Sequence, residues 1–189
     1  MKDWLFSLPD IAIITMISGF LLLGIYLTFK SIKTLKTNRS NRKIVLLIPF
    51  VFHIINIFLI DELLTVDPST SSGNGNPAIP YVFISLTLLI TFCIIVFYKT
   101  REVLQDKSNL SKKSIVLVAS LIFCFVAIYF QMDFVSYVNE KLYYPMGDWW
   151  NWWKDIHLNN LYLNVYTFLF GLSMAIAIAS ALSLLRPEN

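Results

Sequence analysis

His157 is one of only two histidines in a chain of 189 residues. Three carboxylates, Asp61, Glu62 and Asp133, stand at the ends of long apolar runs at what the pattern makes the same level. A histidine oriented by a carboxylate can act as general base, and histidine with carboxylates can hold a divalent metal. Gathered in one outward-facing pocket, these four would suit a hydrolase or an acyl- or group-transferase acting on lipid-linked or membrane-anchored substrates. Spacing does not demand this. There is no HExxH, no GxSxG, no His-x-x-x-His and no paired acidic spacing within one helix. No catalytic residue, metal site or cofactor is therefore assigned, and carboxylates at helix ends that simply reach headgroup water are the plainer reading.

A second set of polar groups lies inside the apolar runs. His53 sits midway along the second run with Asn56 three residues on, and Gln131 lies in the fourth. Ionisable groups within spans are costly and are functional candidates for that reason. A polar path for a transporter or channel component is one reading. A neutral His53 imidazole bonded to Asn56 or to a neighbouring helix is the other.

The densest chemistry is DWWNWWKDIH, residues 148–157, with four tryptophans in five residues. Wound as a helix over about 148–158 with Asp148 as N-cap, Trp149, Trp152, Trp153 and Ile156 share one face, with Trp150 along its margin. Such a helix is too short to cross a bilayer but can lie along one with its indoles at headgroup depth. An interfacial anchor is the expectation. A tryptophan cage for a cationic headgroup is chemically sound, yet nothing in the residue order requires it.

The elements that must position these groups are long apolar runs. Of the residues, 57% are hydrophobic and 14% charged, and the mean hydropathy is +0.65, far too apolar for an ordinary soluble domain. Five runs each hold about 17–25 residues with few charges, enough to cross roughly 30 Å of hydrocarbon. The pattern predicts one all-α integral membrane domain over 1–189, a bundle of five transmembrane helices at about 10–31, 43–62, 80–100, 114–136 and 160–185. The first run could be a signal peptide, but Asp3 and Asp10 precede it and no small-residue cleavage site follows, so it is taken as a retained span.

Charge sets the orientation. Lys30, Lys33, Lys36, Arg39, Arg42 and Lys43 lie between the first two spans, and Lys99, Arg101, Lys107, Lys112 and Lys113 between the third and fourth. With Arg186, 12 of the 15 basic residues fall on one side. The positive-inside bias makes that side cytoplasmic, with the N-terminus outside and the C-terminus inside. These loops lack aromatics to stack bases, so no nucleic acid is expected as a partner; the lipid bilayer is. Cys93 and Cys124 fall at depths differing by roughly 9 Å at 1.5 Å per residue, too far for a disulfide. The outer segment DELLTVDPSTSSGNGNPAIP is rich in Ser, Gly, Asn and Pro and reads as a mobile loop. Lys-, Ile- and Asn-rich usage points to a bacterial cytoplasmic membrane.

The fifth span carries two rows of small residues at fourfold spacing: Gly171, Ala175 and Ala179, and Ser173, Ala177 and Ala181. Such rows let helix backbones approach closely. They serve either the bundle's own packing or docking of a partner helix or second copy. With no catalytic signature and no internal repeat of the transporter kind, the favoured expectation is a small polytopic protein that works by association with a membrane partner, as an accessory, regulatory or immunity-type subunit. An outward-facing membrane-embedded enzyme is the alternative, and a transporter or channel component the third.

Overall fold

A computed structural model describes residues 42–71, 75–107, 109–145 and 149–185, together with the isolated helical positions Thr15, Gly19, Leu22 and Tyr26. The span predicted at 10–31 otherwise lies outside the described residues. Among the described residues the chain is all-helical, with no strand and four α-helices: α1, Arg42–Leu63; α2, Ile79–Lys107; α3, Leu110–Lys141; and α4, Val165–Leu184. Three of them, α2, α3 and α4, are long and apolar enough to cross a membrane. The class is that of an all-helical membrane protein.

Local chemistry accounts for the helix ends. Asn76 Oδ1 accepts from the Ala78 backbone N–H at 2.9 Å, and Pro80 falls in the first turn of α2, where a missing N–H costs nothing. Asn109 caps α3 by accepting from Lys112 N at 3.1 Å. Asn164 caps α4 with 2.9 and 3.0 Å bonds from the backbone N–H groups of Tyr166 and Thr167. In each case an asparagine side chain satisfies donors that a helix leaves orphaned. α1 contains Pro49, buried, which removes one helical hydrogen bond.

The helices pack in the order α1, α2, α4, α3, so α4 stands between α2 and α3. Ile60 of α1 meets Tyr81, Val82 and Leu88 of α2. Phe92 and Val96 of α2 meet Phe168 and Ala175 of α4. α3 is the peripheral helix: 17% of its most apolar stretch is buried, against 39% in both α2 and α4. Its buried positions Ser120, Cys124 and Ala127 form one narrow stripe of small residues at helical spacing, the side that meets α4.

The tryptophan segment departs from expectation. Instead of an amphipathic α-helix over 148–158, the chain forms a six-residue 3-10 helix, Trp149–Lys154, followed by tight turns in which Leu158 N bonds Asp155 O and Leu161 N bonds Leu158 O. Asp155 supplies the reason. Its Oδ1 accepts from the His157 backbone N–H at 3.0 Å, a local side-chain bond that competes with helix continuation. Trp152 and Trp153 are half-buried against the protein rather than turned outward as a pair. Trp152 lies edge-on to Tyr162 at 5.3 Å and Trp153 meets Phe83 at 5.9 Å.

Candidate functional site

The polar residues singled out by the sequence collect in two places, a cap over the ends of α1, α2 and α4 and a buried set between α1 and α2. In the cap, His157 is 2% exposed. Its Nδ1 lies 3.2 Å from the Val66 carbonyl and 3.0 Å from that of Asp67. Carbonyls only accept, so Nδ1 carries the proton and donates to both. The rings of Tyr143 and Tyr144 stand edge-on to the imidazole at 5.7 and 6.0 Å. Val66 N also bonds Ile156 O at 3.2 Å, and Tyr143 N bonds Pro68 O at 3.2 Å. The start of the loop between α1 and α2, which its composition marks as mobile, is thus held by a clasp of hydrogen bonds to the segment between α3 and α4.

Two asparagines outside the candidate pocket, Asn159 at the opening of the predicted fifth span and Asn76 in the loop before α2, complete the cap. Asn159, fully buried, donates from Nδ2 to Leu64 O at 2.7 Å and to Ile156 O at 3.2 Å. Its Oδ1 accepts from Asn76 Nδ2 at 2.6 Å, and Asn76 Oδ1 accepts in return from Asn159 Nδ2 at 3.2 Å. Asn76 also donates to Trp153 O at 3.1 Å. This reciprocal amide pair satisfies backbone groups that have no helix to bond within. The asparagines of NPAIP and of the Asn159–Asn160 pair were the only signal in the sequence.

The remaining candidates are similarly occupied. Asp61 accepts from Asn160 Nδ2 at 2.6 Å. Glu62 and Asp133 are exposed. Gln131 donates to Leu161 O at 2.6 Å, tying α3 to the turn before α4. Tyr144 hydrogen-bonds Asp155, and burial first, then that bond, pushes the phenol above its ordinary pKa. Hydrogen bonds from the Ser69 hydroxyl and backbone N–H hold the Asp67 carboxyl below the usual carboxylate value. Among the described residues, no three His, Cys, Asp or Glu side chains converge to hold a metal ion. His157, Asp61, Glu62 and Asp133 therefore do not form the metal cluster that their types allowed.

The deeper set joins helices. His53 Nδ1 lies 3.4 Å from Ser85 Oγ and its ring 5.3 Å from that of Phe168. Asn56 donates to Tyr81 O at 2.9 Å. His53 is thus bonded across to α2, one of the two arrangements expected, and Asn56 uses a different residue of the same helix. Asn56 Oδ1 is buried with no hydrogen-bond partner.

The small-residue rows of α4 are covered within the chain. Ala175, Ala177, Ala179 and Ser173 are all buried. A Cβ added at Gly171 would stand 3.2 Å from Cys93 Sγ and 3.5 Å from Leu89 Cδ1, both on α2. The serines of this helix bond inward on themselves, Ser180 to Ile176 O and Ser183 to Ala179 O, each at 2.8 Å. Cys93 and Cys124 are both free thiols.

Compared with known proteins, the chain matches no family model, no curated protein and no solved structure. Its function rests on the geometry alone.

Proposed function

We propose that the protein works by association, docking a transmembrane helix of a membrane partner against the outward side of α3. One observation carries this reading: α3 has its most apolar stretch only 17% buried while running for 32 residues, well beyond the roughly 20 that a bilayer core needs. Its uncovered side carries Phe125, Tyr129, Met132 and Tyr137, all exposed, and aromatics and Met are the residue types enriched at protein interfaces. The small-residue rows of α4, the docking ridge suggested by spacing alone, are taken up by α2 and α3, so the partner surface moves to α3. An enzyme reading would have to run through His157 Nε2, since Nδ1 donates to two carbonyls, in a residue that is only 2% exposed.

The same reading includes five crossings with the N-terminus outside and the C-terminus inside the cytoplasmic membrane, supported by the concentration of 12 of 15 basic residues on one side. In this layout the clasp and the tryptophan turn lie on the outer face at headgroup depth, and α3 presents its aromatic side within the bilayer.

Photo-crosslinking in native membranes tests the docking. A photoreactive residue at Phe125 or Tyr129 should give a discrete protein adduct, while one at Ile90 or Ile94, exposed on α2, should give only lipid adducts. Equal adducts from both helices, or none from α3, would defeat the proposal.

A further inference from the structure

At the end of the bundle opposite the clasp, α2 and α3 part. They are joined by only two residues, 108–109, yet α4 lies between them and they make little direct contact. The space left is a groove of about 380 Å³. Val96, Lys99, Thr100, Val103 and Leu104 line one wall, a single face of α2 at i, i+3, i+4, i+7 and i+8. Val116 of α3 forms the other wall and Ile176 of α4 the floor. The groove is short, its α2 wall running only from Val96 to Leu104, about two helical turns. It falls within the roughly 300–1,000 Å³ of small-molecule sites, and its walls are apolar apart from Lys99 and Thr100.

The mouth is cationic. Lys99 lines it, Arg101 lies two residues on, and Lys112 and Lys113 stand one turn before Val116 on α3, against Glu102. Lys99 Nζ lies 2.8 Å from Glu102 Oε2. Lys113 is buried, one turn from Val116 on the same face of α3. α3 also begins here, so the positive end of its dipole faces the same layer. An apolar slot closed by net positive charge at headgroup depth matches one occupant in both halves. The geometry points to a site for an anionic phospholipid, one acyl chain lying in the groove and its phosphate among Lys99, Lys112 and Lys113. Basic pockets between transmembrane helices recognise acidic headgroups in this way, and α4 as a floor separates such a slot from the flat lipid-facing side of a single helix. This site is independent of the partner surface on α3.

Native mass spectrometry of the full chain, purified in neutral detergent and offered phosphatidylglycerol or phosphatidylcholine with identical acyl chains, tests it. The wild type should retain one phosphatidylglycerol with at least tenfold preference. Val103→Trp, which fills the groove, should lower retention at least fivefold, whereas Ile94→Trp, elsewhere on α2, should leave it unchanged. Lys99→Gln/Lys112→Gln should abolish the preference between headgroups while helicity and melting temperature hold. Equal retention of the two lipids by the wild type overturns the site. So does a preference that survives the lysine double variant, or equal loss in the two tryptophan variants. Should Val103→Trp fail to fold, the lysine variant decides alone.

Discussion

His157 acts through its Nδ1–H, shared between the carbonyls of Val66 and Asp67. Nδ1 is here a brace between two loops, which leaves Nε2 as the ring's one basic nitrogen. A brace and a base respond differently to substitution. Asparagine offers an N–H donor near the position of Nδ1 and no titratable ring; alanine offers neither. His157→Ala should therefore destabilise the fold by about 1 kcal/mol, the net worth of a hydrogen bond between part-buried groups, and should open residues 64–70 to limited proteolysis. His157→Asn should recover most of that loss. Thermal melting with a protease time course reads both, and an asparagine variant as fragile as alanine would show that the donor is not what matters. Neighbouring Tyr144 adds a pH dependence. Its pKa is raised by burial and by Asp155, so its contribution to stability is complete below the phenol's ordinary value of about 10 and is lost as pH climbs past that value through the folded one.

Helix packing turns on small residues. Gly171 lets α4 approach Cys93 and Leu89 of α2 closely, and Ala175 shares one buried cluster with Phe92 and Val96. Gly171→Leu should cost about 1–3 kcal/mol through overpacking, read as a lower melting temperature with the photo-crosslinks at Phe125 and Tyr129 retained in the folded fraction. Loss of those crosslinks without loss of stability would return the partner to α4. How far these elements could be read from the residues differs by type. Long apolar runs announce α2, α3 and α4 plainly, because membrane helices need length and hydropathy and little else. Residues 148–158 deceive, because the 3.6-residue spacing of Trp149, Trp152, Trp153 and Ile156 is real. Yet Asp155 and His157 divert the chain through bonds to their own backbone and to the loop between α1 and α2. The bonds to that loop join residues some ninety positions apart, and no local pattern records them. The pairing of Asn76 with Asn159 is illegible on the same ground: an asparagine in a loop looks alike whether it faces water or holds a buried amide pair.

At the scale of the molecule, the clasp ties the loop after α1 to the segment before α4, and Gln131 ties α3 to that same segment. One end of the array is thereby cross-braced by hydrogen bonds, while the other holds the groove and, among the described residues, α3 is covered along one stripe only. The layout makes a topological prediction. Single cysteines at position 2 and position 188, in a chain with Cys93 and Cys124 replaced by serine, should label with a membrane-impermeant maleimide from opposite sides of sealed vesicles; labelling from one side rules out five crossings. The central claim concerns association and is tested most directly by the mass of the particle released from native membranes in a mild detergent. One chain is 21.8 kDa. The account predicts a discrete particle heavier than this by a whole partner chain, reduced to the single-chain mass by Phe125→Ala/Tyr129→Ala; a lone 21.8 kDa chain from wild-type membranes, or a heavier particle that the double variant leaves intact, would contradict it.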